Sequence, residues 1–247
     1  MITASTEPRL LVHSERGIVV EFGDSIDPTI FDRVRALTQA LEQHPLNGVI
    51  ELIPTYRSVL VHFDPLHVDR TEVMQWIHQH LQTSSGRQGS ARVVVIPTLY
   101  GGEFGPDLAD VAQHAGLASD EVVQVHSSED YLVYMIGFTP GFPYLGGLSP
   151  KIACPRLSSP RTLVPAGSVG IAETQTGIYP LATPGGWRLI GRTPLKLFDP
   201  ASAQPFVLQA GDYLRFRPID TKEYDEISSL VKEQRYQAET RVKGAGQ

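Results

Sequence analysis

The sequence predicts an α+β protein of two domains, a small N-terminal α/β domain followed by a larger β-rich domain that closes as a barrel or sandwich. Three observations predict it. Apolar residues recur at strand and helix periods in the order ββαββα as far as Leu81. A polar Gly/Ser-rich stretch from Gln82 to Ser90 follows, and from Gly137 to Thr193 the chain turns dense in Gly and Pro with short apolar segments between. The domain boundary is placed in that polar stretch, giving domains of residues 1–88 and 89–247.

Leu10-Leu11-Val12 and Ile18-Val19-Val20 flank the polar turn Ser14 to Gly17 and read as a hairpin. Asp27 is placed to cap the next helix and Pro28 suits its first turn. Ile30, Val34, Leu37 and Leu41 then repeat at helical spacing until Pro45 to Gly48 breaks it. Val49 to Ile53 and Ser58 to Phe63 read as paired strands, and Val73, Ile77 and Leu81 mark a second helix. The larger domain opens with a strand from Val93 to Pro97. Helices follow from Pro106 to Leu117, capped by Gly105, and from Ser119 to Val125, then a strand from Tyr131 to Ile136. Segments such as Val169 to Ala172, Gly177 to Pro180 and Trp187 to Ile190 supply the barrel strands, and Phe206 to Phe216 adds more. Lys222 to Gln237 is a charged closing helix, and the tail from Lys243 to Gln247 is expected to be disordered.

Composition narrows the function classes. At 247 residues and 41% hydrophobic the chain can bury a sizeable core, and a net charge of −6 with no basic face argues against a nucleic-acid partner. The longest apolar runs fall well short of the roughly 20 residues of a membrane span. Met1 to Arg9 show no secretory signal, so no membrane partner and a cytoplasmic location are expected. One cysteine, Cys154, excludes an internal disulfide and a thiolate metal cluster. The chain has no phosphate-binding loop ending in Gly-Lys, no dinucleotide fingerprint, no paired-histidine zinc helix and no Gly-X-Ser-X-Gly elbow. Self-contained ATPase or serine-hydrolase chemistry is therefore not expected, and neither is a metal or prosthetic group.

Single residues carry little signal. Ala166 to Gly170 has the look of a nucleophile turn, but no base stands beside Ser168 and a turn leading into a strand is preferred, its hydroxyl left for a ligand. His78 and His80 lie two apart on a helix and cannot chelate one metal; both are expected at the surface. His126 precedes the strand that feeds the Gly-rich segment, and a hydrogen-bonded structural role is favoured over acid–base work.

Two constellations carry more. The run Gly137 to Leu148 alternates Gly, Pro and aromatic residues. Phe138, Thr139, Pro140, Gly141, Phe142 and Tyr144 within it can wall a pocket or meet another subunit. The second constellation comprises Arg161, Gln175, Thr176, Tyr179, Trp187, Arg188 and Arg192. Its arginines, set in glycine-punctuated turns, suit a carboxylate or phosphate. The even interval from Arg188 to Arg192 predicts that both face the same way on one strand, with surface ion pairing as the plainer alternative.

Those constellations resemble the family that holds the B subunit of 5-oxoprolinase and the KipI kinase inhibitor, also labelled allophanate hydrolase subunit 1. The resemblance rests on Tyr100 to Glu103 with Gly105 to Leu108, the whole Gly137 to Leu148 run and Pro160 to Thr162. It continues through Val164 to Ala172, Gln175 to Pro180, Pro184 to Thr193, Leu197 to Asp199 and Gly211-Asp212. Glu173 departs from the pattern where Gly is usual, and Leu157 where Arg follows Pro155-Arg156.

The resemblance implies a small ferredoxin-like α/β domain followed by a cyclophilin-like β-barrel. It also implies an enzyme that works as a heteromer, this chain joining a cyclophilin-like C subunit and an A subunit to open the 5-oxoproline lactam to L-glutamate. ATP would be used by the complex and not bound by this chain alone. Related paired domains in urea carboxylase suggest a small amide, lactam or carboxylated substrate. Two alternatives share the motifs: a KipI-like inhibitor that binds a sensor histidine kinase, and an accessory role in urea or allophanate metabolism.

Overall fold

The structure, a computed structural model, describes residues 7–83 and 91–243. The chain forms two compact units, Met1–Gly89 and Ser90–Gln247. The boundary predicted at 88/89, most of the predicted linker and the tail beyond Lys243 lie outside the described residues.

In the first unit the elements are β1 (Arg9–Ser14), β2 (Gly17–Glu21), α1 (Pro28–Gln43), β3 (Val49–Pro54), β4 (Ser58–Phe63) and α2 (Arg70–Thr83). The strands form an antiparallel sheet in the order β1-β2-β4-β3. Period-two alternation buries Ile18, Val20, Val59, Val61 and Phe63 on one face, and α1 packs against β3, β4 and α2 in a two-layer arrangement. Asp27 caps α1, its Oδ1 accepting from the Thr29 and Ile30 N–H groups at 2.8 and 3.3 Å. The buried stripe starts at Phe31, with Ile30 at its margin. His80 corrects the expectation of a surface residue: it is 8% exposed and its Nδ1 donates to the Trp76 carbonyl at 2.8 Å. It follows Trp76 by four residues and so lies on the buried stripe, whereas His78 is exposed.

The second unit contains β5 (Arg92–Tyr100), α3 (Leu108–Ala115), α4 (Ser119–Ser127), β6 (Tyr131–Ile136) and β7 (Pro143–Gly146). These are followed by β8 (Arg161–Val164), β9 (Ser168–Ala172), β10 (Gln175–Ile178), β11 (Thr183–Gly185), β12 (Arg188–Arg192), β13 (Tyr213–Pro218), α5 (Thr221–Lys232) and β14 (Thr240–Val242). A curled sheet runs β10-β9-β12-β5-β13-β6-β7, with β14 beside β5 and β8 paired to β11 as a separate ribbon. β7 also lies against β10, so the sheet nearly closes as a barrel. Its core gathers Val169, Ile171, Ile178 and Ile190 with Val111 of α3 and Val122 of α4.

Several boundaries differ from expectation. α3 starts at Leu108 with Asp107 as N-cap, because Gly105 and Pro106 belong to a turn in which the Gly105 N–H donates to the Gly101 carbonyl. α5 ends at Lys232 with Glu233 as its C-cap. The chain then returns as β14, a pairing with β5 for which three exposed residues gave no local signal. Among the described residues no helix is long and apolar enough to cross a membrane.

Candidate functional site

The two constellations meet on the outer face of β9, β10 and β12. Phe142 stands edge-on to Tyr179, Trp187 and Tyr144, with ring centroids 5.6, 5.7 and 5.2 Å apart, and these residues with Val164, Ala172 and Leu189 make a second core outside the barrel. Gly177 forms its floor. A Cβ there would lie 3.0 Å from the Trp187 ring and 3.2 Å from that of Phe142, so glycine lets both rings seat this closely on the sheet and a side chain would press them outward. Burial raises the Tyr179 pKa, and its oxygen takes a hydrogen bond from the Trp187 backbone.

The loop before Phe142 is tightly turned. Phe138 has φ 63°, the Thr139 N–H donates to the Gly137 carbonyl at 2.7 Å across it, and its ring is 67% exposed. A bulky residue at positive φ costs on the order of 1–3 kcal/mol and persists where the surroundings impose it.

Arg161 and Arg188 reach the start of α3. Arg161 Nη2 donates to Asp107 Oδ1 at 2.7 Å, and Arg188 Nη1 donates to Asp110 Oδ2 at 3.0 Å while its Nε reaches the Pro155 carbonyl. Asp107 also accepts from the Leu189 N–H at 2.6 Å, and its own N–H donates to the Leu189 carbonyl. That residue thus extends the hydrogen bonding of β12 where β5 has ended. Arg192 sits elsewhere, its guanidinium 5.1 Å above the Phe104 ring. The expectation that Arg188 and Arg192 share a face is corrected by the register: they pair with Ile171 and Ser168, three apart on β9, across a bulge at Ile190. An extra residue in one strand reverses the alternation.

Thr176 and His126 turn inward. Tyr100 Oη lies 2.8 Å from His126 Nδ1, His126 Nε2 lies 2.8 Å from Thr176 Oγ1, and Thr176 Oγ1 donates to the Gly170 carbonyl at 3.0 Å. The last bond assigns the others: Thr176 accepts from Nε2–H, and Nδ1 accepts from Tyr100. His126 is fully buried, and desolvation lowers its pKa to about 3. A neutral imidazole with both nitrogens bonded in the core holds α4 to the barrel; it is not placed for acid–base work. Gln175 sits half-buried at the start of β10. Glu173, in the turn before it, has φ 53°, a conformation that favours glycine. Burial pushes the Cys154 thiol pKa up, which keeps it protonated. Among the described residues no group of His, Cys, Asp or Glu is arranged to hold a metal ion.

One signal no sequence motif carries is which buried polar atoms lack partners. Among the described residues these are Thr139 Oγ1, Arg161 Nη1, Ser168 Oγ and Arg192 Nε. Buried polar groups are bonded in the great majority of cases, so four exceptions confined to these two constellations and the Ser168 turn mark this face as unfinished.

A family model described as "Carboxyltransferase domain, subdomain C and D" matches residues 8–208. A Bacillus subtilis protein named as the B subunit of 5-oxoprolinase is 43% identical over 221 residues, 85% of this chain and 92% of its own. Its Escherichia coli O157:H7 counterpart of the same name is 44% identical over 213 residues, 85% of this chain and 95% of its own. The crystal structure of Kluyveromyces lactis urea carboxylase superposes with a TM-score of 0.75 at 19% identity, covering 97% of this chain and 25% of that one. That likeness concerns the fold alone.

Proposed function

Because the chain belongs to the carboxyltransferase subdomain C and D family and to the group named for the B subunit of 5-oxoprolinase, we propose that it forms part of an ATP-dependent 5-oxoprolinase. It acts with an A subunit and a cyclophilin-like C subunit. In the reaction ATP phosphorylates the lactam oxygen and leaves as ADP, one water adds to the activated carbon, and the C–N bond breaks with the ring nitrogen taking a proton to leave a glutamyl phosphate, which a second water hydrolyses to L-glutamate and phosphate.

The observation that carries this reading is the set of three buried, unbonded polar atoms, Thr139 Oγ1, Arg161 Nη1 and Ser168 Oγ, in the loop and strands that carry the aromatic cluster. Phe142, Tyr144, Tyr179 and Trp187 supply an apolar wall for a small lactam. Thr139, Arg161 Nη1 and Ser168 supply donors that the fold itself leaves unused. Pro140, Gly141 and exposed Phe138 form the edge that meets the next subunit. Arg161 and Arg188 already face Asp107 and Asp110, which makes this face a poor triphosphate cradle, so ATP is assigned to another member of the complex.

The test is glutamate release from 5-oxoproline plus ATP by this chain, by its partner subunits and by the full mixture. Activity confined to the full mixture supports the reading. An assembled but inert mixture overturns it and turns attention to histidine-kinase binding and to urea-derived substrates.

A further inference from the structure

Arg192 differs from its neighbours in how its charge is met. Of the nine arginines between residues 91 and 243, seven have a carboxylate within ion-pairing distance: Arg92 with Asp212, Arg161 with Asp107, Arg188 with Asp110, Arg215 and Arg241 with Asp130, Arg217 with Glu223, and Arg235 with Glu233. Arg156 and Arg192 remain. Arg156 is exposed, whereas Arg192 is half-buried and fixed in place. Its guanidinium lies over Phe104, whose ring meets Tyr224 of α5 at 4.8 Å in a tilted contact, and its charge acts on the Tyr224 hydroxyl, opposing the rise in pKa that burial causes there. A phenolic hydroxyl at that position can donate to a carboxylate.

Two residues with unused polar atoms are cross-strand partners here. Arg192 Nε is buried without a partner. Ser168, its register partner on β9 and on the same face, is 0% exposed with an equally unpartnered Oγ. Gly167, at φ 81°, lets the preceding turn close on them: a Cβ there would overlap the Thr193 carbonyl and press to 3.3 Å on Arg192 Cγ. Other acids nearby do not neutralise the arginine. Glu103 and Asp225 act on Tyr224, but neither comes within 4.0 Å of Arg192.

We propose that Arg192, Ser168 and Tyr224, backed by Phe104, form a receptor for one carboxylate of a small molecule. A guanidinium edge offers two parallel N–H donors to a planar carboxylate, and the serine and tyrosine hydroxyls supply the rest. One guanidinium and two hydroxyls suit a monoanion better than a phosphate dianion. Stacking on Phe104 has already restricted the arginine, so little further ordering is needed on binding. The site's existence is independent of the 5-oxoprolinase reading. Naming 5-oxoproline, a cyclic monocarboxylate, as its ligand rests on that reading.

The experiment follows the Arg192 Nε–H resonance of the full-length chain during titration with 5-oxoproline, acetate and 2-pyrrolidinone, the last being the same lactam without a carboxylate. Expected is a saturable shift with 5-oxoproline, a weaker one with acetate and none with 2-pyrrolidinone. Arg192→Gln should weaken 5-oxoproline binding at least tenfold, and Ser168→Ala about threefold with an unchanged melting temperature. No shift with either carboxylate, equal binding of 2-pyrrolidinone, or full affinity in Arg192→Gln overturns the receptor. Equal affinity for acetate and 5-oxoproline keeps the receptor while removing the lactam identification.

Discussion

The first unit and the outer face of the barrel handle their buried polar groups in opposite ways. In the first unit Asp27 closes its helix, Trp76 donates to the His44 carbonyl, and Thr38 donates to the Val34 carbonyl within a stripe of apolar residues. On the barrel face, between Thr139 and Arg192, lie all four unpartnered buried side-chain atoms found among the described residues. Among the described residues the first unit contributes none of those unpartnered buried atoms; the barrel face has donors in place that folding does not use. Evolution tolerates such a cost where a ligand or another subunit supplies the missing partner.

Substitutions can break that contrast. Leu37→Ala, in the fully buried stripe of α1, should lower the unfolding free energy by about 2–5 kcal/mol in urea titrations while turnover per folded complex stays unchanged. A turnover loss there would mean that the first unit also serves the reaction. Next in size is Asp107→Ala, which leaves Arg161 and the Leu189 N–H without their acceptor; about 2–4 kcal/mol is expected in the same titration.

Acid sharpens the comparison differently. His126 has its ordinary pKa near 6.5 when unfolded and about 3 when folded, so below pH 6.5 the unfolded chain takes up a proton that the native chain refuses. The stabilising difference is complete above pH 6.5 and lost as pH falls toward 3, with a slope of about 1.4 kcal/mol per pH unit. His126→Gln should flatten that part of the stability profile. The smallest effect is a gain: Glu173→Gly relieves the positive φ and should add up to about 1 kcal/mol, read as a rise in melting temperature.

How much of this the sequence disclosed depends on the distance over which each feature is decided. Tyr131 to Ile136 and Ser58 to Phe63 were legible to the residue, because alternation and turn residues are local signals. The aromatics of Gly137 to Leu148 were legible as the wall of a pocket, but the meeting of Phe142 with Trp187 was not, because it joins segments more than forty residues apart. The bulge at Ile190 was not, because it exists only in the pairing of β12 with β9, and it overturns the shared face of Arg188 and Arg192. Thr176 has the local surroundings of a site residue, but His126, fifty positions earlier, holds it inside. Phe104 and Tyr224 carry no local signal for the same reason: their ring contact joins a loop to a helix more than a hundred residues away.

The most direct test of the unfinished barrel face removes an unused hydroxyl. Thr139→Val and Ser168→Ala delete atoms that make no hydrogen bond within the chain, so stability should be unchanged or slightly higher. Glutamate release by the assembled complex should nevertheless fall at least fivefold for each. Unaltered release from fully assembled complexes carrying both changes would contradict the account.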